Sequence, residues 1–397
     1  MQWTSLTRQP TIGLSEPKYD LHMTECLIIG GGIIGMLTAR ELLAKGMSVT
    51  LIDRGTPGRE SSWAGGGIIS PLYPWRYDDA VTRLAAWSQQ HYSQLCTDLY
   101  RESGIDPEYE PSGLLILEPE DTDQALAWTR RFAQTASLRN RSDLGLIEPS
   151  LRTEAETAIW MKKVAQVRNP RLVKSARRAL EGRIKILDST QAHELKVKHG
   201  RLQGVYTTKG LIRTDKAIVC AGAWTGTLLH QQAPSIRPIL GQMILFNTTP
   251  GSLTRIVLHR QRYVIPRRDG RILVGSTLED RGFEKTTTLE ARNSLRQFAL
   301  SHFPLLADAD IELQWAGLRP SSPGGIPYIC PVPDTAGLFI NAGHFRNGVV
   351  LAPASARLMS DLVTGSPPIA DPAPYTLDAE RAQPAPQPSD PLRHRLT

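Results

Sequence analysis

The sequence predicts an α/β protein in which a nucleotide-binding βαβ unit and an antiparallel sheet share one interleaved chain. Three observations carry this prediction. The apolar run Cys26-Leu27-Ile28-Ile29 enters a glycine turn, and a helix-forming stretch follows at 36–43. A second apolar run, Val49-Thr50-Leu51-Ile52, ends on Asp53. Much further on, apolar runs at 242–246, 262–266 and 271–275 read as antiparallel strands rather than as a parallel nucleotide fold.

The first unit carries Gly30, Gly32 and Gly35 in G-x-G-x-x-G spacing. Gly30 permits the tight turn, Gly32 lets backbone approach a pyrophosphate, and Gly35 lets the helix pack against the strand. The helix N-terminus then faces the phosphate charge. Asp53 ends the second strand, where a carboxylate can accept from ribose hydroxyls. A glycine triplet alone is weak evidence, but strand, helix, second strand and terminal acid together predict dinucleotide binding. The next stretch, 59–71, is rich in serine and glycine; it reads either as backbone lying flat on a ligand or as an ordinary loop. An amphipathic helix is expected around 84–100, a strand at 112–117, a helix at 170–182 and strands at 183–187 and 204–208. Residues 212–224 end in a strand that runs into the small-residue turn Ala221-Gly222-Ala223-Trp224. After the antiparallel strands come two glycine-bearing segments, 315–323 and 343–350, the second following an apolar strand and opening a helix at about 350–362. Arg319 and Arg346 each sit in otherwise apolar surroundings, which invites either a carboxylate ligand or a structural salt bridge.

Composition bounds the remaining readings. At 397 residues the chain suggests two domains, or one with a large insertion. A hydrophobic content of 41% supports a substantial core. The net charge of +7 is scattered over single residues and pairs, without an aromatic ladder, so nucleic acid is not an expected partner. Cys26, Cys96, Cys220 and Cys330 have no C-x-x-C spacing, so no metal is expected, and they suit a reducing cytoplasm. No run approaches the roughly 18 apolar residues of a membrane span, so no membrane partner is expected. Residues 1–23 read as a disordered leader or as preceding a start at Met23, and residues 366–397 as a loose, proline-rich tail.

In order along the chain, the glycine fingerprint, residues 60–71, Ala221-Gly222-Ala223-Trp224, residues 315–320 and residues 343–350 resemble the D-amino-acid oxidase superfamily of FAD enzymes. Within it the chain is most similar to the glycine oxidases of thiamine biosynthesis, and the resemblance covers about 24–364. It implies a Rossmann-like FAD-binding domain of the glutathione-reductase type, discontinuous over 24–80, 146–225 and 310–365. An antiparallel-sheet α+β substrate-binding domain, 81–145 and 226–309, would be inserted into it. The resemblance places the backbone of Ile33 and Ile34 at the pyrophosphate, with Asp53 and Arg54 at the adenosine ribose. The family often has Glu where this chain has Asp53. Ser61, Ser62, Gly66, Gly67 and Ile68 would line the flavin, Ala192 would make a main-chain contact to adenine, and Ala221 and Gly222 would return the chain to the cofactor's edge. His344, Phe345, Arg346, Asn347, Gly348, Val349 and Val350 would run along the isoalloxazine. Arg319 would clamp a substrate carboxylate through two parallel hydrogen bonds, Tyr263 would offer its hydroxyl to the same carboxylate or help close the pocket, and Arg346 would lie near both substrate and flavin. Leu278 would cap the pocket.

The activity implied is oxidation of a small amine or amino acid (glycine, sarcosine, D-alanine, D-proline) by hydride transfer to flavin N5. Imine hydrolysis gives a 2-oxo acid and ammonia, and oxygen is reduced to hydrogen peroxide. No protein acid or base need act at carbon, so placement by the arginine clamp is the main contribution. In sarcosine-oxidase relatives a cysteine attaches the flavin; that position falls on Pro327, three residues before Cys330, so the FAD is expected to be non-covalent. The relatives also suggest a homo-oligomer, tetramer or dimer. Two other readings stand beside this one: a D-amino-acid dehydrogenase with another electron acceptor, and a flavoprotein module of the kind found in tRNA modification.

Overall fold

The computed structural model describes residues 20–21, 24–229 and 233–381. Most of the expected leader, and residues 382–397 of the expected tail, lie outside the described residues.

The strand Cys26–Ile29 is apolar at every position and buried throughout, as a central parallel strand must be. It pairs in parallel with Val49–Ile52 on one side and Ala217–Val219 on the other. Lys185–Leu187 and Leu338–Ala342 extend this parallel sheet, and Tyr328–Pro331 closes it as an antiparallel sixth strand. Two glycines make the first crossover possible. Gly30 has φ +112°, and a Cβ there would lie 2.4 Å from the Cys220 carbonyl oxygen. A Cβ on Gly35 would lie 2.0 Å from the Gly30 carbonyl oxygen, so the helix Ile33–Ala44 packs on the turn only because that carbon is missing.

The helices Ile33–Ala44, Asp79–Ser103, Asn169–Leu180 and Gly348–Thr364 share one apolar core on one face of this sheet. Asp79–Ser103 is bounded by local chemistry: the Asp78 side chain accepts from Ala80 N at 2.8 Å, and Gly104 ends it at φ 70°. On the other face packs a small sheet in the order Asp20–Leu21, Gly210–Arg213, Arg201–Thr207, Ala192–Lys198. A third, eight-stranded sheet runs Ile311–Ser321, Arg237–Asn247, Arg271–Gly275, Arg262–Pro266, Ile256–His259, Leu114–Leu117, Thr157–Met161, Ser137–Asn140. Every neighbouring pair in it is antiparallel except Ile256–His259 with Leu114–Leu117. The mixed fold, with its parallel nucleotide sheet and separate antiparallel sheet, is the one expected.

Several segment boundaries are corrected. Thr157–Met161 and Ile311–Ser321, expected within the nucleotide-binding segments, are strands of the eight-stranded sheet. The helix Asp79–Ser103, of which residues 81–103 were expected in the substrate domain, instead packs in the nucleotide half. Its Tyr92 hydroxyl donates to Val349 O at 3.0 Å, and its Ser88 hydroxyl accepts from Ala354 N at 3.1 Å. Each error concerns pairing between segments far apart in sequence, which periodicity does not report. The tail is also tighter than expected up to residue 381. Tyr375 is buried and donates to Ala80 O at 2.9 Å, while Arg381 donates to Ile326 O.

Candidate active site

One cleft runs from the glycine turn, past the C-terminal ends of the parallel strands, to the inner face of the eight-stranded sheet. That is where an open α/β sheet binds ligands, because strand ends and helix N-termini converge there. At its nucleotide end Gly31 N donates to Asp53 Oδ2, and Gly55 N to Asp53 Oδ1, each at 2.8 Å. Asp53 therefore braces the turn with both oxygens while still lining the cleft. The helix Ile33–Ala44 has glycine at its N-cap and no capping side chain from that position. Ser62 reaches over instead, its Oγ accepting from Ile33 N at 2.9 Å, which leaves the hydroxyl proton for a ligand. The Arg54 guanidinium lies 3.6 Å over the Trp224 ring and bonds Glu60 at 3.0 Å.

Farther along, the backbone of Gly65, Gly66 and Gly67 forms the cleft wall. A Cβ on Gly66 would lie 3.1 Å from the Tyr263 ring, so this wall packs closely on the eight-stranded sheet and even a methyl group there would push its neighbours aside. Behind the wall, Asn169 Nδ2 donates to Ser62 O at 2.8 Å and the Trp315 indole to Ala64 O at 3.0 Å.

At the sheet end, Arg319 projects from Ile311–Ser321. Its guanidinium donates to Leu240 O at 3.2 Å, Thr277 O at 3.1 Å and Ser276 Oγ at 2.6 Å, all uncharged acceptors. Burial, with the nearby charge of Arg346 adding to it, lowers its pKa to about 10, so it remains a cation at neutral pH. Tyr263 is buried beside it. Arg346 donates to the Gln261 carbonyl at 3.3 Å and has no carboxylate partner among the described residues. His344 is buried, with Nε2 3.0 Å from Ser355 Oγ, and burial alone pushes its pKa down to about 3, so the ring is neutral.

Of the residues singled out from sequence, Gly30, Gly32, Ile33, Ile34, Asp53, Arg54, Ser61, Ser62, Gly66, Gly67 and Ile68 all line this cleft. So do Ala192, Ala221, Gly222, Tyr263, Arg319, His344, Phe345, Arg346, Gly348 and Val349. Three do not. Gly35 is taken up by helix packing, Asn347 is buried outside the cleft lining, and Val350 lies in the helical core. Leu278 is likewise not a wall residue; Met243, 3.9 Å from the Tyr263 hydroxyl, is. Sequence reasoning also missed Thr190, Gln191, Leu72 and Asn341. Asn341 is 1% exposed and lines the cleft; its Nδ2 donates to Thr38 Oγ1 and Ser355 O, while its Oδ1 has no partner. No motif announces it, since it is one polar residue in an apolar strand.

These features fit a dinucleotide: a glycine turn where a Cβ would collide, a helix N-terminus capped only from Ser62 of another segment, and an unsatisfied buried acceptor. Residues 25–362 match the family described as DAO, FAD dependent oxidoreductase. The chain belongs to this family of FAD-dependent oxidoreductases. As a DAO-family member it is an enzyme whose cofactor is FAD. It is 49% identical over 354 residues to a glycine oxidase of Pseudomonas aeruginosa, spanning 88% of this chain and 97% of that one. It is 30% identical over 350 residues to the bifunctional protein ThiO/ThiG of Nostoc, covering 85% of this chain and 52% of that one. Among solved structures, a glycine oxidase from Bacillus cereus superposes with a TM-score of 0.78 at 26% identity, over 86% of this chain and 95% of that one. Among the described residues, no helix is long and apolar enough to cross a membrane.

Proposed function

We propose that this DAO-family enzyme oxidises glycine and other small amines or amino acids, sarcosine, D-alanine and D-proline among them, and that its product serves thiamine thiazole synthesis. The observation that carries the reading is Arg319. A guanidinium half-buried in the lining of a cofactor cleft and bonded only to neutral acceptors lacks a counter-ion, and a substrate carboxylate supplies one. The fork accepts a carboxylate through two parallel bonds, and the Tyr263 hydroxyl can donate to the same group. Arg346 adds positive potential over the pocket, and the neutral His344 adds none.

The residues around the substrate act by placement. A carboxylate held at Arg319 would keep the carbon bearing the amine inside the cleft, where buried Met243 and Tyr263 exclude water. Bound FAD would supply the hydride acceptor and the route to oxygen, giving imine, then 2-oxo acid and ammonia, with hydrogen peroxide as the reduced product. The nucleotide would be held by Gly30, Gly32, Ile33, Ile34, Asp53, Arg54 and Ser62, with Ala192 at the adenine. Non-covalent attachment is supported by Cys330, which is buried in the edge strand Tyr328–Pro331 and is not a wall residue. The name ThiO/ThiG, borne by a relative over half its length, supports the thiamine connection. Four free, buried cysteines suit the cytoplasm, and a dimer or tetramer is the expected assembly.

The test is anaerobic mixing of the yellow protein with glycine, sarcosine, D-alanine and D-proline, followed by admission of air. Flavin bleaching by glycine, with peroxide formed on reoxidation, is the expected result. Bleaching without reoxidation by oxygen would make the protein a dehydrogenase, and no bleaching by any amino acid would overturn the reading.

A further inference from the structure

Behind the glycine wall lies a second buried arginine that the substrate chemistry does not use. Arg267 directly follows the strand Arg262–Pro266, which carries Tyr263. It is 8% exposed and is not itself part of the cleft lining. Its Nη2 donates to Gly66 O at 2.7 Å, and its Nη1 donates to Val167 O at 3.0 Å and to Gln166 Oε1 at 2.6 Å. Among the described residues no carboxylate pairs with it. The nearby acids are engaged elsewhere: Asp269 by Arg168 and Arg271, and Glu108 by Arg168 and Arg171. Burial, then the charge of Arg168, lowers its pKa to about 10, which still leaves a cation at neutral pH.

The seam it closes is specific. Val167 N donates to Gly67 O at 2.9 Å and Ile69 N to Ala165 O at 2.8 Å, so the wall lies antiparallel along residues 165–167. One step further along, the Gly66 and Val167 carbonyls would both lack donors, and the Arg267 fork satisfies the two together. In a trans peptide the C=O and N–H point to opposite sides. With the Gly66 carbonyl turned back onto Arg267, outside the cleft, the Gly67 N–H is turned forward. Among the described residues nothing accepts from that N–H. The position also admits only glycine: φ is +81°, and a Cβ would lie 2.0 Å from Val167 O.

We propose that Arg267 is a positioning residue for the flavin, its fork aiming the Gly67 N–H into the cleft and its unpaired charge stabilising the reduced, more negative cofactor across one peptide. This rests on the FAD lying against the wall formed by Gly66 and Gly67, as the functional reading has it. It assigns to the strand bearing Tyr263 a second task, that of tying substrate and cofactor surfaces into one rigid piece.

The test measures the midpoint potential of the bound flavin and the dissociation constant of FAD in Arg267→Gln and Arg267→Lys. Arg267→Gln is expected to lower the potential and weaken FAD binding at least about tenfold, since hydrogen bonds from a charged group are worth roughly 1.5–3 kcal/mol. Its half-saturating glycine concentration should stay within about twofold, because Arg319 and Tyr263 keep their partners. Arg267→Lys keeps the charge but loses the fork, so it should restore the potential while FAD binding stays weak. An unchanged potential in the Gln variant, or one as low in Lys as in Gln, overturns the proposal. If the Gln variant does not retain FAD, the Lys variant decides: wild-type potential with weakened FAD supports the proposal, and a lowered potential overturns it. Failure of glycine to reduce the wild-type flavin would count against the substrate reading alone, since both readouts are taken without substrate.

Discussion

Replacing Arg319 with alanine removes a half-buried cation that lines the cleft and is bonded to three neutral acceptors. Truncating one partner of a buried charged pair costs roughly 2–5 kcal/mol. At 1.4 kcal/mol per decade this is a fall in kcat/KM for glycine of about 30- to 4000-fold. The loss should appear chiefly as a raised KM, because the arginine holds a group that is charged before, during and after reaction. Anaerobic stopped-flow reduction across a glycine series separates the two: the saturating rate should change less than the half-saturating concentration. The flavin spectrum should be kept, since Arg319 lies at the end of the cleft away from the glycine turn. An amine that carries no carboxylate should be oxidised equally slowly by wild type and variant. A kcat/KM for glycine within threefold of wild type, in a protein that still holds its flavin, would refute the clamp and with it the substrate class.

Three further outcomes are expected. Gly30→Ala puts a Cβ 2.4 Å from Cys220 O at φ +112°, a strain of more than about 1–3 kcal/mol, so the purified protein should lose its yellow colour; full FAD retention would show that the turn can be rebuilt. Acid precipitation of wild type should leave all the flavin in the supernatant, and colour in the pellet would show a covalent bond. Buried His344, held neutral with a pKa of about 3 against 6.5 for a free ring, makes the unfolded chain bind the extra proton. Stability should therefore fall as pH drops below about 6.5, by up to about 1.4 kcal/mol per unit, in melting curves between pH 7 and 5. His259, lowered to about 4 by burial and by His302, adds to the same slope, so His344→Gln should flatten only part of it.

Much of the site is legible in the sequence because its chemistry is local. Gly30, Gly32 and Asp53 sit at spacings that a βαβ unit enforces, and all three line the cleft. Arg319 and Arg346 could be singled out because a cation in an apolar, glycine-rich stretch is costly without a partner. Asn347 and Val350 lie outside the cleft lining, since a motif marks a segment without saying which of its residues turn inward.

What the sequence alone determined is the first βαβ unit: strand, turn, helix and acid follow from residues within thirty positions of one another, where sterics and hydrogen-bond geometry leave few alternatives. What only the tertiary structure decided is which distant strands share a sheet, and hence which side chains meet. Thr157–Met161 and Ile311–Ser321 join the eight-stranded sheet through partners far along the chain. The same non-local pairing brings Arg267 onto Gly66, 201 positions away, and sets Met243 beside Tyr263. A side chain's preference for burial is written locally, but the identity of what it is buried against depends on the closure of the whole chain.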